Sequence, residues 1–121
     1  MYYSGRFAGC NFAFIILKLK VVKETRITEF VEISLPETTT VEQFTEKAEN
    51  FVAFLQKQEG YIDGEMVRAP ESNNWRFIFH FESMEKVKAI GEKMRAGSEF
   101  AEFKSVIGSF SVSFFKQIQK W

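Results

Sequence analysis

His80 is the only histidine in the chain. Imidazole ordinarily titrates near neutrality, so His80 is the first side chain to weigh as a proton acceptor or as a hydrogen-bond partner for a substrate hydroxyl. The alternative is a partly buried strand histidine satisfied by a neighbour. Arg68 and Arg76 could stabilise a phenolate inside an apolar pocket, where a fixed positive charge is worth more than in water. They could equally pair with carboxylates at a sheet edge, for which Glu65 and Glu82 are available. Ser109, Ser111 and Ser113 recur at every second residue and could line a polar lumen or let two subunits approach closely. A lone histidine without a nucleophile elbow makes no Ser/His/Asp triad. The chain has neither a glycine-rich phosphate loop nor a Cys/His cluster with metal-ligand spacing, so no metal and no cofactor is expected.

These residues need strands to hold them. Ile27 to Leu35 is rich in β-branched and apolar residues and runs into Pro36, which predicts a strand followed by a polar loop. Val41, Phe44, Ala48, Phe51, Val52 and Leu55 recur at three- and four-residue spacing, as one face of a helix requires. Thr40 and Gln43 can close a capping box at its start, and Gly60 supplies a stop. Tyr61 to Arg68 and Trp75 to Phe81 predict a hairpin turned by Ala69 to Asn74, which contains Pro, Ser and Asn. By the two-residue period of a strand, Trp75, Phe77, Phe79 and Phe81 point one way while Arg76, Ile78 and His80 point the other. Ser83 can cap a helix from Met84 to about Arg95 with Val87, Ala89, Ile90 and Met94 inward, closed by Gly97. A short helical turn over Glu99 to Phe103 follows. A last strand from Val106 to Lys116 puts Phe110, Val112 and Phe114 on one face and Ser109, Ser111, Ser113 and Phe115 on the other.

The order β, α, β, β, α, β gives an α+β, ferredoxin-like plan: an antiparallel sheet with helices on one face. The other face would still carry Ile78, Phe115, and Phe30 or Val31. Four strands alone cannot cover that bulk, and pairing with a second copy is the simplest cover. A homodimer is therefore expected.

Composition narrows the partners. Sixteen basic and sixteen acidic residues cancel with no cationic run along a helix or loop, so the footprint of a nucleic-acid binder is missing. Fifteen Phe in 121 residues point to a large aromatic core in one domain. Cys10 has no partner for an internal disulfide, which suits a reducing cytoplasm. Phe12 to Leu17 is wholly apolar but far shorter than the ~20 residues a membrane span needs, and no membrane anchor is expected. Residues 1 to 25 form an extension that could be an edge strand or an arm, or could lie upstream of a true start near Val22. Residues 118 to 121 form a tail.

Glu59-Gly60-Tyr61 at the helix-to-strand corner, Trp75 opening the third strand, Phe81-Glu82-Ser83-Met84-Glu85 at its end and Gly97-Ser98-Glu99-Phe100-Ala101-Glu102-Phe103 before the last strand resemble the antibiotic biosynthesis monooxygenase family. Their order and spacing, over residues 26 to 117, carry the resemblance. It implies a dimeric α/β barrel in which two ferredoxin-like sheets pack face to face, from a family of cofactor-free oxygenases of quinols and polycyclic phenols, haem degraders and many members of unknown activity; the alternative for this chain is a non-catalytic barrel that binds a small ligand or partner. It also implies a pocket tryptophan beside an asparagine, here Trp75 with Asn74 or Asn73; with the residues weighed above, Trp75, Asn74 and His80 are expected to be catalytic, and Asn73, Arg68, Arg76 and Tyr61 to contact a small aromatic substrate. Two departures argue against haem: Ile90 stands where the family often carries a helix histidine, and the first strand holds no asparagine.

Overall fold

In the computed structural model, which describes residues 25–121, the chain runs β1 (Ile27–Ser34), α1 (Val41–Gln56), β2 (Tyr61–Arg68), β3 (Asn74–Phe81), α2 (Met84–Ala96), α3 (Glu99–Lys104) and β4 (Phe110–Lys116). The extension read over residues 1 to 25 lies, but for its last residue, outside the described residues. Local chemistry explains the boundaries. Thr40 accepts a hydrogen bond from the Gln43 backbone while the Gln43 side chain caps Thr40 in return, so two of the free donors at the start of α1 are satisfied. The helix stops at Gln56, four residues before Gly60. Gly60 instead takes φ +100°, a left-handed conformation that suits glycine, and turns the chain into β2. Ser83 accepts from the Lys86 backbone to start α2, and Gly97 ends it.

The four strands form one antiparallel sheet in the order β2-β3-β1-β4, the ferredoxin-like arrangement. Its register sorts every side chain by face. Ile27, Val31 and Ile33 of β1 lie beside Phe81, Phe77 and Trp75 of β3 and are buried under the helices with Phe44, Ala48, Phe51 and Leu55 of α1. Phe44, with no exposed surface, sits at the centre, its ring centroid 5.0 Å from Trp75, 6.4 Å from Phe77 and 6.0 Å from Phe103. Gly64 makes room for this layer, since a Cβ there would run into the Phe79 ring and the Tyr61 hydroxyl. On α2, Ile90 is buried and Val87 and Met94 pack beside it. Ala89, expected to point inward, is exposed, because a helix advances about 100° per residue and Val87, Ile90 and Met94 already define the inner stripe.

Among the described residues the opposite face has no cover. Thr28, Phe30 and Glu32 lie beside His80, Ile78 and Arg76 on one side and beside Phe115, Ser113 and Ser111 on the other. Phe30, not Val31, therefore belongs to this face. Its ring meets Phe115 edge-on at 5.4 Å, and Phe115 keeps 56% of its surface exposed.

Candidate functional site

The helices cover the sheet unevenly. α1 and α3 pack on each other and over the middle of the sheet, whereas the helix-facing side of β4 stays open: Phe110, Val112 and Phe114 are each about 40% exposed. Between β4 and the inner face of α2 lies a cavity of about 480 Å³, a size that admits a small polycyclic ligand. Its floor is Val31 of β1, Phe79 and Phe81 of β3 and Phe110, Val112 and Phe114 of β4. Its roof is Val87, Ile90, Gly91 and Met94 of α2 with Phe100 and Phe103 of α3. Ile90, the residue at the family's helix-histidine position, is one of these apolar wall residues.

Among the described residues one ionisable group stands on the floor. Glu29 lies on β1 between Phe79 of β3 and Phe114 of β4, and no described residue gives its carboxylate a hydrogen bond or an ion pair. Burial among these apolar walls pushes its pKa up to about 7, because a low-dielectric environment penalises the charged form. Among the described residues the other charged side chains lining the cavity, Lys88, Glu92 and Arg95, all come from α2, and β3, β4 and α3 contribute only apolar walls.

Glu29 was not among the residues singled out by the sequence. The signal was present: Ile27, Glu29, Val31 and Ile33 share one face by strand alternation, and three of the four are core residues. A carboxylate in that row must lie against the core or line a hole in it.

The residues the sequence does single out are placed elsewhere. Trp75 faces the helices at the far end of β3, packed on Phe44, and its Nε1 is buried without a hydrogen-bond acceptor among the described residues. The Arg68 guanidinium lies 5.0 Å from the Trp75 ring centre and donates to the Ser72 carbonyl at 3.1 Å and to Asn73 Oδ1 at 3.0 Å. Arg76 pairs with Glu32 at 2.8 Å, rather than with Glu65 or Glu82, because β1 and not β2 presents the opposed carboxylate. Arg68, Asn74, Trp75, Arg76, Ser109 and Ser111 thus gather around a polar depression of about 780 Å³ at one end of the sheet, with Asn73 held at its edge by Arg68.

His80 and Tyr61 stand at the other end. His80 is on the uncovered face, its Nδ1 2.7 Å from Asp63 Oδ1, and so on the opposite side of β3 from Trp75. Tyr61 packs edge-on against Phe79 and Phe81, and its hydroxyl pKa is raised by burial and by the nearby Asp63 charge. Neither lines the apolar cavity.

Among the described residues no group of three His, Cys, Asp or Glu side chains could hold a metal ion, and no helix is long and apolar enough to cross a membrane.

No protein-family profile matches the chain, and no curated protein sequence matches it. Solved structures do. SnoaB, a cofactor-independent oxygenase from Streptomyces nogalater, superposes with a TM-score of 0.71 at 11% identity, covering 79% of this chain and 96% of that one. A candidate antibiotic biosynthesis monooxygenase from Caulobacter crescentus gives 0.65 at 12% identity over 85% and 99%. A dimeric ferredoxin-like protein of unknown function from Thermobifida fusca gives 0.65 at 8% identity over 78% and 93%. The chain is similar to these proteins in its fold, the fold that its motifs imply through their resemblance to the antibiotic biosynthesis monooxygenases.

Proposed function

We propose that the chain is a dimeric, cofactor-independent monooxygenase-like protein that binds a quinol or polycyclic phenol in the cavity between β4 and α2. The observation that carries this reading is the cavity itself: aromatic walls, about 480 Å³, and one isolated carboxyl on the floor. The electrons come from the substrate. A quinol that loses its hydroxyl proton becomes an electron-rich anion able to reduce oxygen directly; one oxygen atom enters the ring, the other leaves as water, and the product is a hydroxyquinone. The protein positions the ring, excludes water and stabilises the anion. The test is oxygen uptake by purified, metal-stripped protein with a panel of quinols, alongside melting curves with each compound. Uptake supports the enzyme, whereas a raised melting temperature without uptake supports a non-catalytic binding barrel.

A second location follows from the orphaned Nε1 of Trp75. The polar depression bounded by Arg68, Asn74, Trp75 and Arg76 would hold the substrate there, with Trp75 donating to it, Asn74 catalytic beside it and Asn73 at its rim. On that reading, Trp75→Phe lowers turnover about tenfold or more while stability falls by only about 1–2 kcal/mol. Unchanged turnover locates the reaction in the apolar cavity, with Glu29 on its floor the next residue to change.

The dimer would form through the uncovered sheet face, where Phe30, Ile78 and Phe115 form an apolar centre flanked by the Arg76–Glu32 and His80–Asp63 pairs. Phe115→Asp would bury an unpaired charge in that interface, so light scattering should find the variant monomeric at concentrations where the parent is a dimer. A parent chain that is monodisperse and monomeric at micromolar concentration would contradict this interface.

A further inference from the structure

We infer that Glu29 is the proton-accepting residue of the cavity, and that its ligands carry a hydroxyl on an aromatic or enolic carbon that reaches the floor of the sheet. The inference rests on the proposed use of this cavity and deepens it.

Three observations converge on Glu29. It belongs to a central strand, so its backbone is held by ladders on both sides, and a proton acceptor fixed in that way costs little to reorganise. Among the described residues its carboxyl is the only charged group on the cavity floor, with Phe79 and Phe114 as lateral neighbours and no described residue bonded to it. Glu29 is half-buried, and a ligand hydroxyl entering the cavity would meet a carboxyl that no described residue bonds. Finally, the apolar walls hold its pKa at about 7, where a carboxylate is a far better base than an ordinary one and is still ionised in part of the molecules at neutral pH.

The step balances without a co-reactant. The hydroxyl proton passes to a Glu29 carboxylate oxygen, the electron pair of the O–H bond stays on the substrate oxygen, and a neutral carboxyl is left donating to the new anion. No electron is transferred at this stage. The charged groups at the cavity lining, Lys88, Glu92 and Arg95 of α2, are exposed on the helix side, where solvent screens them from the floor.

The experiment uses the full chain and 2-naphthol, a fluorescent phenol that stays protonated through the neutral range, titrated in mildly acidic and mildly basic buffers. Wild-type protein should bind it on the order of tenfold more tightly once Glu29 is ionised, since a carboxylate accepts a stronger hydrogen bond than a neutral acid. Glu29→Gln should bind it with no such rise, and Glu29→Asp should restore part of the rise. A rise that persists in Glu29→Gln would overturn the assignment and leave the cavity reading intact. Failure of wild type and both variants to bind 2-naphthol, with normal melting curves, would remove the cavity reading and the assignment with it. Where a quinol is turned over, the same carboxyl should give kcat/KM a rise with pH centred near 7, absent in Glu29→Gln.

Discussion

Glu29→Gln should raise the melting temperature in mildly basic buffer and leave it almost unchanged at pH 4 to 5. The sign follows from linkage. The Glu29 pKa is about 7 in the folded chain against 4.5 for the free side chain, so between these values the folded state holds a proton that the unfolded state has released. Stability from this group is fully present below the unfolded value and is lost as pH rises through the folded one. The rise from 4.5 to about 7 corresponds to a loss of up to about 3 kcal/mol. Glutamine resembles the neutral acid in shape and cannot ionise, so it escapes that loss. In a domain of this size about 1 kcal/mol moves the melting temperature by roughly 4–8 °C, and the gap between variant and wild type should open to on the order of 10 °C. A gap of the same size at every pH would mean that Glu29 titrates normally and does not sit in an apolar cavity.

Phe44→Ala should cost about 3–5 kcal/mol, a large share of the roughly 5–15 kcal/mol that holds a domain together. Phe44 is wholly buried, and its ring meets those of Trp75 and Phe77 from β3 and Phe103 from α3. Truncation removes transfer free energy and opens a void that β3, α1 and α3 cannot all close. Phe44→Leu keeps most of the volume and should cost much less, about 1–2 kcal/mol. Urea unfolding measures both. Near-equal midpoints for Phe44→Ala and wild type would show that the aromatic centre lies elsewhere.

Much of this fold is written in single residues. The alternation of Trp75, Phe77, Phe79 and Phe81 against Arg76, Ile78 and His80 by itself sorts β3 into two faces, and Thr40 with Gln43, Ser83 and Gly97 mark helix ends by hydrogen-bonding chemistry that is local in sequence. Ala89 is misplaced by that reasoning because small residues on a helix tolerate either face. The site is less legible because it depends on which strands become neighbours. Arg76 pairs with Glu32 only because β1 lies between β3 and β4. His80 meets Asp63 only because the β2–β3 ladder shifts register between Tyr61 and Asp63. The cavity exists because α2 and α3 leave the inner side of β4 open, a matter of helix placement that no local pattern specifies. Glu29 is the instructive case: its row of Ile27, Val31 and Ile33 already placed it against the core, but only the gap beneath α2 makes that position a wall of a binding space instead of an unsatisfied charge.

The most direct test of the whole account is isotopic. Metal-stripped protein is given a quinol under ¹⁸O₂, and the product is weighed by mass spectrometry as oxygen consumption is recorded. The account predicts one labelled oxygen atom in a hydroxyquinone product, one molecule of oxygen consumed per product, and loss of most of the rate in Glu29→Gln at neutral pH. Hydrogen peroxide with an unlabelled quinone, or no consumption above the protein-free rate with any member of the panel, would contradict it.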